Sequence, residues 1–508
     1  MASIFQSLPL LKKAAPRLWR QFFTCRACSH QRSVVPKHAP RSFKATRQTP
    51  FLQAFKSPTK RLLHNASSSN KGSPLSELSR ALNRNASDEK ESFFPAVTSK
   101  SVAYWLLGSA ASVFGIVVWG GLTRLTESGL SITEWRPVTG SLPPRNSEDW
   151  EAEFSKYRSS PEFQRLNPYM TLEEFKQIYW MEWSHRLWGR VIGVTAVVPT
   201  ILFIATRRVS RSMALKLTGI CGLIGFQGFI GWWMVKSGLH DDLFAPGSHP
   251  RVSQYRLTAH LGAAFIVYTT MLVSALNILK EHTLLRDPDA ARKYMKLLQE
   301  PKYQPFRRST AALTALIFIT AMSGALVAGL DAGLIYNEFP YMGVGLTPPK
   351  KELFDPWYSR KADQSDLWWR NMLENPSLVQ LNHRILATTT FTAIMVLFAY
   401  TRLSSRLRPL VTRDVKKSVT GVVHLVLLQV TLGISTLLYL VPTWLAATHQ
   451  AGSLALLTGA LLLNNKNWIP RRTVLLLKQM QSMATNKSIN RTSKLRSESH
   501  SLRNSHVH

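Results

Sequence analysis

Acidic residues are scarce in this chain, and the scarcity is uneven. None occurs before Glu77, and across 508 residues only 29 Asp and Glu stand against 63 Lys and Arg. An N-terminal stretch rich in Arg, Lys and Ser and free of acid has the composition of a mitochondrial transit peptide. The stretch also lacks an uninterrupted apolar core before a small-residue cleavage site, which argues against a secretory signal. Cysteine is nearly absent. Cys25 and Cys28 are followed by Ser29, not by the His that c-type haem attachment needs, and both fall in the presequence. Cys221 is a lone thiol in an apolar run and reads as packing. No basic stripe with interleaved stacking aromatics is found, so the net charge of +34 is not a nucleic-acid footprint. The excess lies in the presequence, in alternate short loops and in the tail.

What the chain has instead is strongly segregated hydrophobicity. Its mean hydropathy of −0.05 averages apolar spans with polar ends. Eight spans are long enough to cross a bilayer, near 101–122, 187–206, 213–235, 257–279, 309–330, 384–402, 418–440 and 444–464. The loops 207–216, 280–308 and 403–417 and the tail after Lys466 are basic. By the positive-inside rule they share one side with the N-terminus, which in a mitochondrion is the matrix. Loops 123–185 and 331–382 carry most of the acidic residues and are expected to face the intermembrane space. The expected localisation is the mitochondrial inner membrane, multi-pass, with both termini in the matrix. The chain divides into a transit peptide and disordered leader (1–75), a matrix segment (76–100), an N-terminal four-helix bundle (101–280), a matrix linker (281–308), a C-terminal four-helix bundle (309–465) and a basic, disordered matrix tail (466–508).

The two bundles are expected from an internal repeat. Gly129-Leu130 and Glu134 precede Pro143-Pro144, and Gly333-Leu334 and Glu338 precede Pro348-Pro349. Gln227 and Gly231 match Gln429 and Gly433. A spacing near two hundred residues is too long for a solenoid unit and fits a duplicated bundle. An even number of spans per repeat inserts both halves in one orientation, as parallel repeats about the membrane normal. The predicted fold is thus an all-α polytopic membrane protein, eight transmembrane helices forming two pseudo-symmetric four-helix bundles.

Four histidines recur in this repeat, each near the start of an even-numbered span: His185, His260, His383 and His449. Ionisable side chains in a membrane are functional candidates by default. Each bundle receives one from its second span and one from its fourth, an arrangement that clamps a flat macrocycle from both faces. Two haem positions with two axial imidazoles each are expected; zinc would want about four ligands close together. His424 has no counterpart and reads as a packing or hydrogen-bonding residue, and His240, His249 and His282 read as loop residues. Arg186 and Arg384 follow histidines, Arg256 lies a turn before His260, and Arg124 follows the first span. All four arginines are candidates for haem propionates through bidentate geometry, or for snorkelling to the interface. Most of Trp119, Trp135, Trp183, Trp188, Trp232, Trp233 and Trp444 read as an aromatic belt.

Glu182 is the most informative asymmetry. It lies three residues before His185 and so shares its helix face, whereas the matching residue before His383 is Gln380. Only the carboxyl can exchange a proton. Proton-coupled chemistry in the first half and electron transfer in the second is the expected division. A di-haem electron-transfer cytochrome and a transporter with histidine proton relays remain as alternatives at this point.

The run Gly120-Gly121-Leu122-Thr123-Arg124-Leu125-Thr126-Glu127-Ser128-Gly129-Leu130-Ser131, with Glu182–Arg186, Arg256–His260, Gln380–Arg384 and His449-Gln450, resembles the haem A synthase family. The resemblance covers roughly 100–465. It implies haem b as cofactor on His383 and His449, substrate haem O near His185 and His260, and Glu182 as the essential carboxylate. It implies oxidation of the haem O C8 methyl to a formyl group, by two hydroxylations and loss of water, to supply haem A to cytochrome c oxidase. A ferredoxin-type electron donor is implied. Haem O synthase, cytochrome c oxidase assembly factors and a second copy of the chain are candidate partners. Some bacterial members carry a cysteine pair in the first extramembrane loop; 123–185 has none.

Overall fold

The computed structural model describes residues 93–244, 250–483 and 492–493. The expected transit peptide (1–75), most of the matrix segment and His249 lie outside the described residues. Among those described there is no strand, and eight helices are long and apolar enough to cross a membrane. They are α1 (Lys100–Leu125), α2 (Leu172–Ala205), α3 (Arg211–Lys236), α4 (Gln254–Arg286), α5 (Gln304–Gly329), α6 (Pro376–Leu403), α7 (Arg413–Leu438) and α8 (Thr443–Lys466).

The helix starts are written locally. A capping box opens α2, where Thr171 accepts from the Glu174 amide and the Glu174 side chain reaches back. Ser99 caps α1 and Thr412 caps α7. Asn375 caps α6, whose first residue Pro376 has no N–H to leave unsatisfied. The capping box places the start of α2 fifteen residues before the expected span at 187. Hydropathy finds only the stretch that meets lipid. The extension instead buries Phe175 and Tyr179 in an extramembrane aromatic cluster, with Phe154 stacked on Phe175 at 5.0 Å between ring centroids.

Packing follows the repeat. Within residues 100–286, α1 packs on α2, α2 on α3, α3 on α4 and α4 on α1, closing a four-helix ring. Within 304–466, α5, α6, α7 and α8 close a second ring in the same order. The rings meet through α1 against α8 and α4 against α5. Exchanging the halves turns one seam into the other, which is compatible with a two-fold relation between bundles. Core positions include small residues such as Ala103, Ala110, Ala275 and Ala460, which let backbones approach. Val191, Val194, Val198, Ile201 and Leu202 line an exposed apolar stripe on α2, suited to acyl chains.

Three expectations change. Residues 471–483 are helical rather than disordered. Leu476 and Leu477 pack there with Leu285 and Ala291, while Arg472 donates to Ser210, Ser212 and the Ala96 carbonyl. The basic composition of the tail hides this amphipathic segment. His282 is not in a loop; it lies in the long C-terminal extension of α4 and pairs with the Thr98 carbonyl at 2.7 Å. His424 is exposed on α7 rather than packed.

Candidate functional site

In each ring the histidine-bearing helices, α2 and α4 or α6 and α8, are diagonal partners and not close-packed neighbours. His185 lies within electrostatic reach of His260, and His383 within that of His449. A glycine on a neighbouring helix makes room for every one of these rings. A Cβ built on Gly231 of α3 would lie 3.0 Å from His260 Cε1, and one on Gly433 of α7 would lie 2.8 Å from His449 Cε1. The corresponding distances are 3.1 Å from Gly324 of α5 to His383 Cε1 and 2.9 Å from Gly120 of α1 to His185 Nε2. These glycines are equivalent in pairs across the repeat, Gly120 with Gly324 and Gly231 with Gly433. The same holds one shell out. Gln227 Nε2 donates to the His260 carbonyl and Gln429 Nε2 to the His449 carbonyl, both at 2.9 Å.

The ring nitrogens suit axial ligation. His260 Nδ1 and His449 Nδ1 are buried without a hydrogen-bond partner. His383 Nδ1 pairs with Ser323 Oγ at 2.8 Å, the kind of contact that fixes a ligand imidazole and leaves Nε2 free. Among the described residues no three His, Cys, Asp or Glu side chains gather into a metal-ion cage. Two imidazoles from diagonal helices, cradled on glycine, fit a planar group that brings its own equatorial ligands.

Beside the first pair sits Glu182, 2% exposed. Its Oε2 accepts from Ser131 Oγ at 2.7 Å and from the Ile132 amide at 2.8 Å. Its Oε1 accepts from Arg186 Nε at 3.0 Å and Nη2 at 2.7 Å. Arg186 also donates to the carbonyls of Ile132 and Glu134, so the pair staples the loop after α1 onto α2. The second half repeats the staple without the charge pair. Arg384 donates to the carbonyls of Tyr336 and Glu338, and Gln380 Nε2 donates to that of Tyr336 at 3.0 Å. Arg384 Nε and Gln380 Oε1 are left buried and unpaired.

The four arginines read as propionate contacts or as snorkelling side chains have protein partners. Arg186 and Arg384 hold loop carbonyls. Arg124 reaches the Ala328 carbonyl and Asp331, which Arg251 also contacts, so Asp331 ties the two halves together. Arg256 donates to the Trp233 carbonyl and lies over its ring, 4.5 Å from the centroid. Trp119 and Trp188 are not belt residues. Their indoles donate to Ser184 Oγ and Ser112 Oγ and lock α1 to α2. The glycine cradles, Ser323 and the two glutamines as backbone clamps were not assigned those roles from sequence, although the repeat of Gln227 and Gly231 at Gln429 and Gly433 was their signal.

Fold and site together define a polytopic helical membrane protein with two histidine-paired four-helix rings; at the position one turn before the first histidine of each, the first ring has a buried carboxylate, Glu182, and the second a buried amide, Gln380. The chain belongs to the family described as cytochrome oxidase assembly protein, whose model matches residues 103–461. It is 49% identical over 406 residues to heme A synthase COX15 of Saccharomyces cerevisiae, covering 79% of this chain and 83% of that one. It is 47% identical over 367 residues to heme A synthase COX15 of Homo sapiens, covering 72% and 82%. A heme A synthase–mitochondrial ferredoxin fusion protein of Schizosaccharomyces pombe is 52% identical over 369 residues, covering 72% of this chain and 59% of the fusion.

Proposed function

We propose that this chain is a haem A synthase, an oxidoreductase that converts the C8 methyl of haem O to a formyl group for cytochrome c oxidase. The observation that carries the reading is the asymmetry of two otherwise matching sites: Glu182 in its ion pair beside His185 and His260, and Gln380 beside His383 and His449. Haem O is held by His185 and His260, and haem b, the cofactor, by His383 and His449. When bound, haem b supplies electron transfer. The protein orients the substrate between α2 and α4, and the stapled loop excludes water from that end of the bundle. Glu182 is the group that receives or returns a proton, at Oε2, where the Ser131 hydroxyl can pass it on. Gln380 cannot do this, which keeps proton exchange out of the second site.

The electron donor is a matrix ferredoxin, a reading supported by the fused relative of Schizosaccharomyces pombe. The protein resides in the mitochondrial inner membrane with both termini in the matrix, and the histidine end of each bundle faces the intermembrane space. The test is haem extraction from purified protein, followed by chromatography and mass spectrometry. Haem b together with haem O, haem A or a hydroxylated intermediate is the expected result. Haem b alone, with no conversion of added haem O, would leave an electron-transfer cytochrome. No haem at all would remove the reading.

A further inference from the structure

The seam between α1 and α8 carries a contact that the seam between α4 and α5 lacks. Gln450 follows His449 directly and turns away from its own bundle. Its Nε2 donates across the seam to the Val117 carbonyl of α1 at 2.9 Å. Its Oε1 fills the space beside Gly121, so that any Cβ at 121 would overlap it. The neighbouring residue, Gly120, is the one against which His185 packs. His449 of the second site and His185 of the first are therefore joined by consecutive contacts: His449 to Gln450 by the chain, Gln450 to Gly121 and Val117 across the seam, and Gly120 to His185.

The equivalent positions on the other seam carry no such amide. Leu261 follows His260, and Gly120-Gly121 is answered by Gly324-Ala325. Leucine and alanine satisfy a helix seam in lipid without burying an amide. In this seam Gln450, with Gly121 opposite to receive it, places a hydrogen-bonded amide between the two histidine sites.

We propose that Gln450 is a positioning residue that couples the two histidine sites, setting the separation across which an electron passes between them. The inference rests on the reading of the two pairs as haem sites. The step moves one electron and no atoms. Iron held by His383 and His449 is oxidised by one unit, iron held by His185 and His260 is reduced by one unit, and an iron–sulfur ferredoxin resupplies the electron.

The experiment uses full-length, haem-loaded protein in lipid nanodiscs. Intersite electron exchange is followed optically after photoreduction, and each haem is characterised by its electron paramagnetic resonance signature. Two variants are compared, Gln450→Leu alone and Gln450→Leu with Gly121→Ala, the second rebuilding the residue pair of the other seam. Intersite transfer slowed by about tenfold or more in both is expected, because small misplacements of reacting groups cost rate steeply. Haem content and both resonance signatures should be unchanged. Transfer at the wild-type rate overturns the proposal. So does loss of haem in both variants, which makes Gln450 a structural strut only. Absence of a second haem in the wild-type protein overturns the underlying site reading, and is seen before any variant is made.

Discussion

Replacing Glu182 with Gln tests the asymmetry at its source, because the second half already shows what an amide does at this position. Glu182 accepts four hydrogen bonds, two from Arg186 and two from the loop at Ser131 and Ile132. Glutamine keeps the size but turns one oxygen into a donor. Whichever way the amide faces, it meets donors. In the second half Gln380 turns its Nε2 to a carbonyl, and Arg384 Nε is left buried without a partner. Two charge-assisted hydrogen bonds at about 1.5–3 kcal/mol each set the scale of the loss. Arg186 retains the Ile132 and Glu134 carbonyls, which puts the cost near the lower end, about 3 kcal/mol. That is local loop docking, not global unfolding. It corresponds to roughly 100-fold faster opening of the Ile132 amide, at about 1.4 kcal/mol per factor of ten. Hydrogen exchange with mass spectrometry on peptides spanning 128–136 reads this directly, and haem extraction reads the chemistry. The Glu182→Gln protein should bind haem at both sites and make no haem A. Normal haem A output would refute proton handling by Glu182, and unchanged protection of Ile132 would refute the energetics of the staple.

Two further outcomes follow from the geometry. Alanine at Gly324 or Gly433 should weaken haem retention in the second bundle, and alanine at Gly120 or Gly231 in the first. Overpacking of about 1–3 kcal/mol implies at least several-fold weaker retention, with Gly433→Ala more severe than Gly324→Ala because its Cβ lies closer, 2.8 Å against 3.1 Å; site-resolved haem spectra check this. Glu162, 4% exposed on the helix Pro161–Leu166, has a carboxyl raised from its usual 4.5 to about 8 by burial and then by the charges of Glu127 and Glu182, against Arg124. The folded state holds that proton more tightly, so the stability contributed by this group is fully present below about pH 4.5 and is lost as pH rises towards 8. Glu162→Gln should flatten this dependence and protect the 161–166 segment above neutral pH by roughly 3–5 kcal/mol, measured by hydrogen exchange across pH; an unchanged pH profile would sink the assignment.

Much of the architecture is legible because it rests on strong local signals. Long apolar runs interrupted by basic loops mark helices whatever their partners, and a histidine inside such a run is conspicuous because it is costly there. The repeat is legible because Gly, Gln, Glu and His recur together. Other features depend on how helices rotate against one another. Gly120 and Gly433 look like any helical glycine until the neighbouring imidazole is seen. The hold of Arg186 on the loop is hidden because its acceptors there, Ile132 and Glu134, are backbone carbonyls, which every residue has. The long start of α2 escaped hydropathy because Phe175 and Tyr179 are buried by protein rather than lipid.

The staples carry the last step. Arg186 holds the carbonyls of Ile132 and Glu134, and Arg384 holds those of Tyr336 and Glu338, so loop clamping is common to both halves. At the staple, the difference is concentrated in the residue at 182 or 380. If the amide at 380 serves only to keep charge away from the second site, restoring the carboxyl should improve the clamp and harm the electronics. Gln380→Glu gives the buried Arg384 guanidinium a charged partner that can turn to its unpaired Nε, and exchanges for it the single Gln380 Nε2 bond to the Tyr336 carbonyl. Protection of the amides around Tyr336 should rise. The added negative charge beside His383 should lower the reduction potential of the haem held there, since local charge is one of the levers a protein has on haem. Redox titration of the purified variant measures the shift. A fall in potential with tighter loop protection is the expected pair of results. Tighter protection with an unchanged potential would mean that the amide at 380 is not what sets the second site apart.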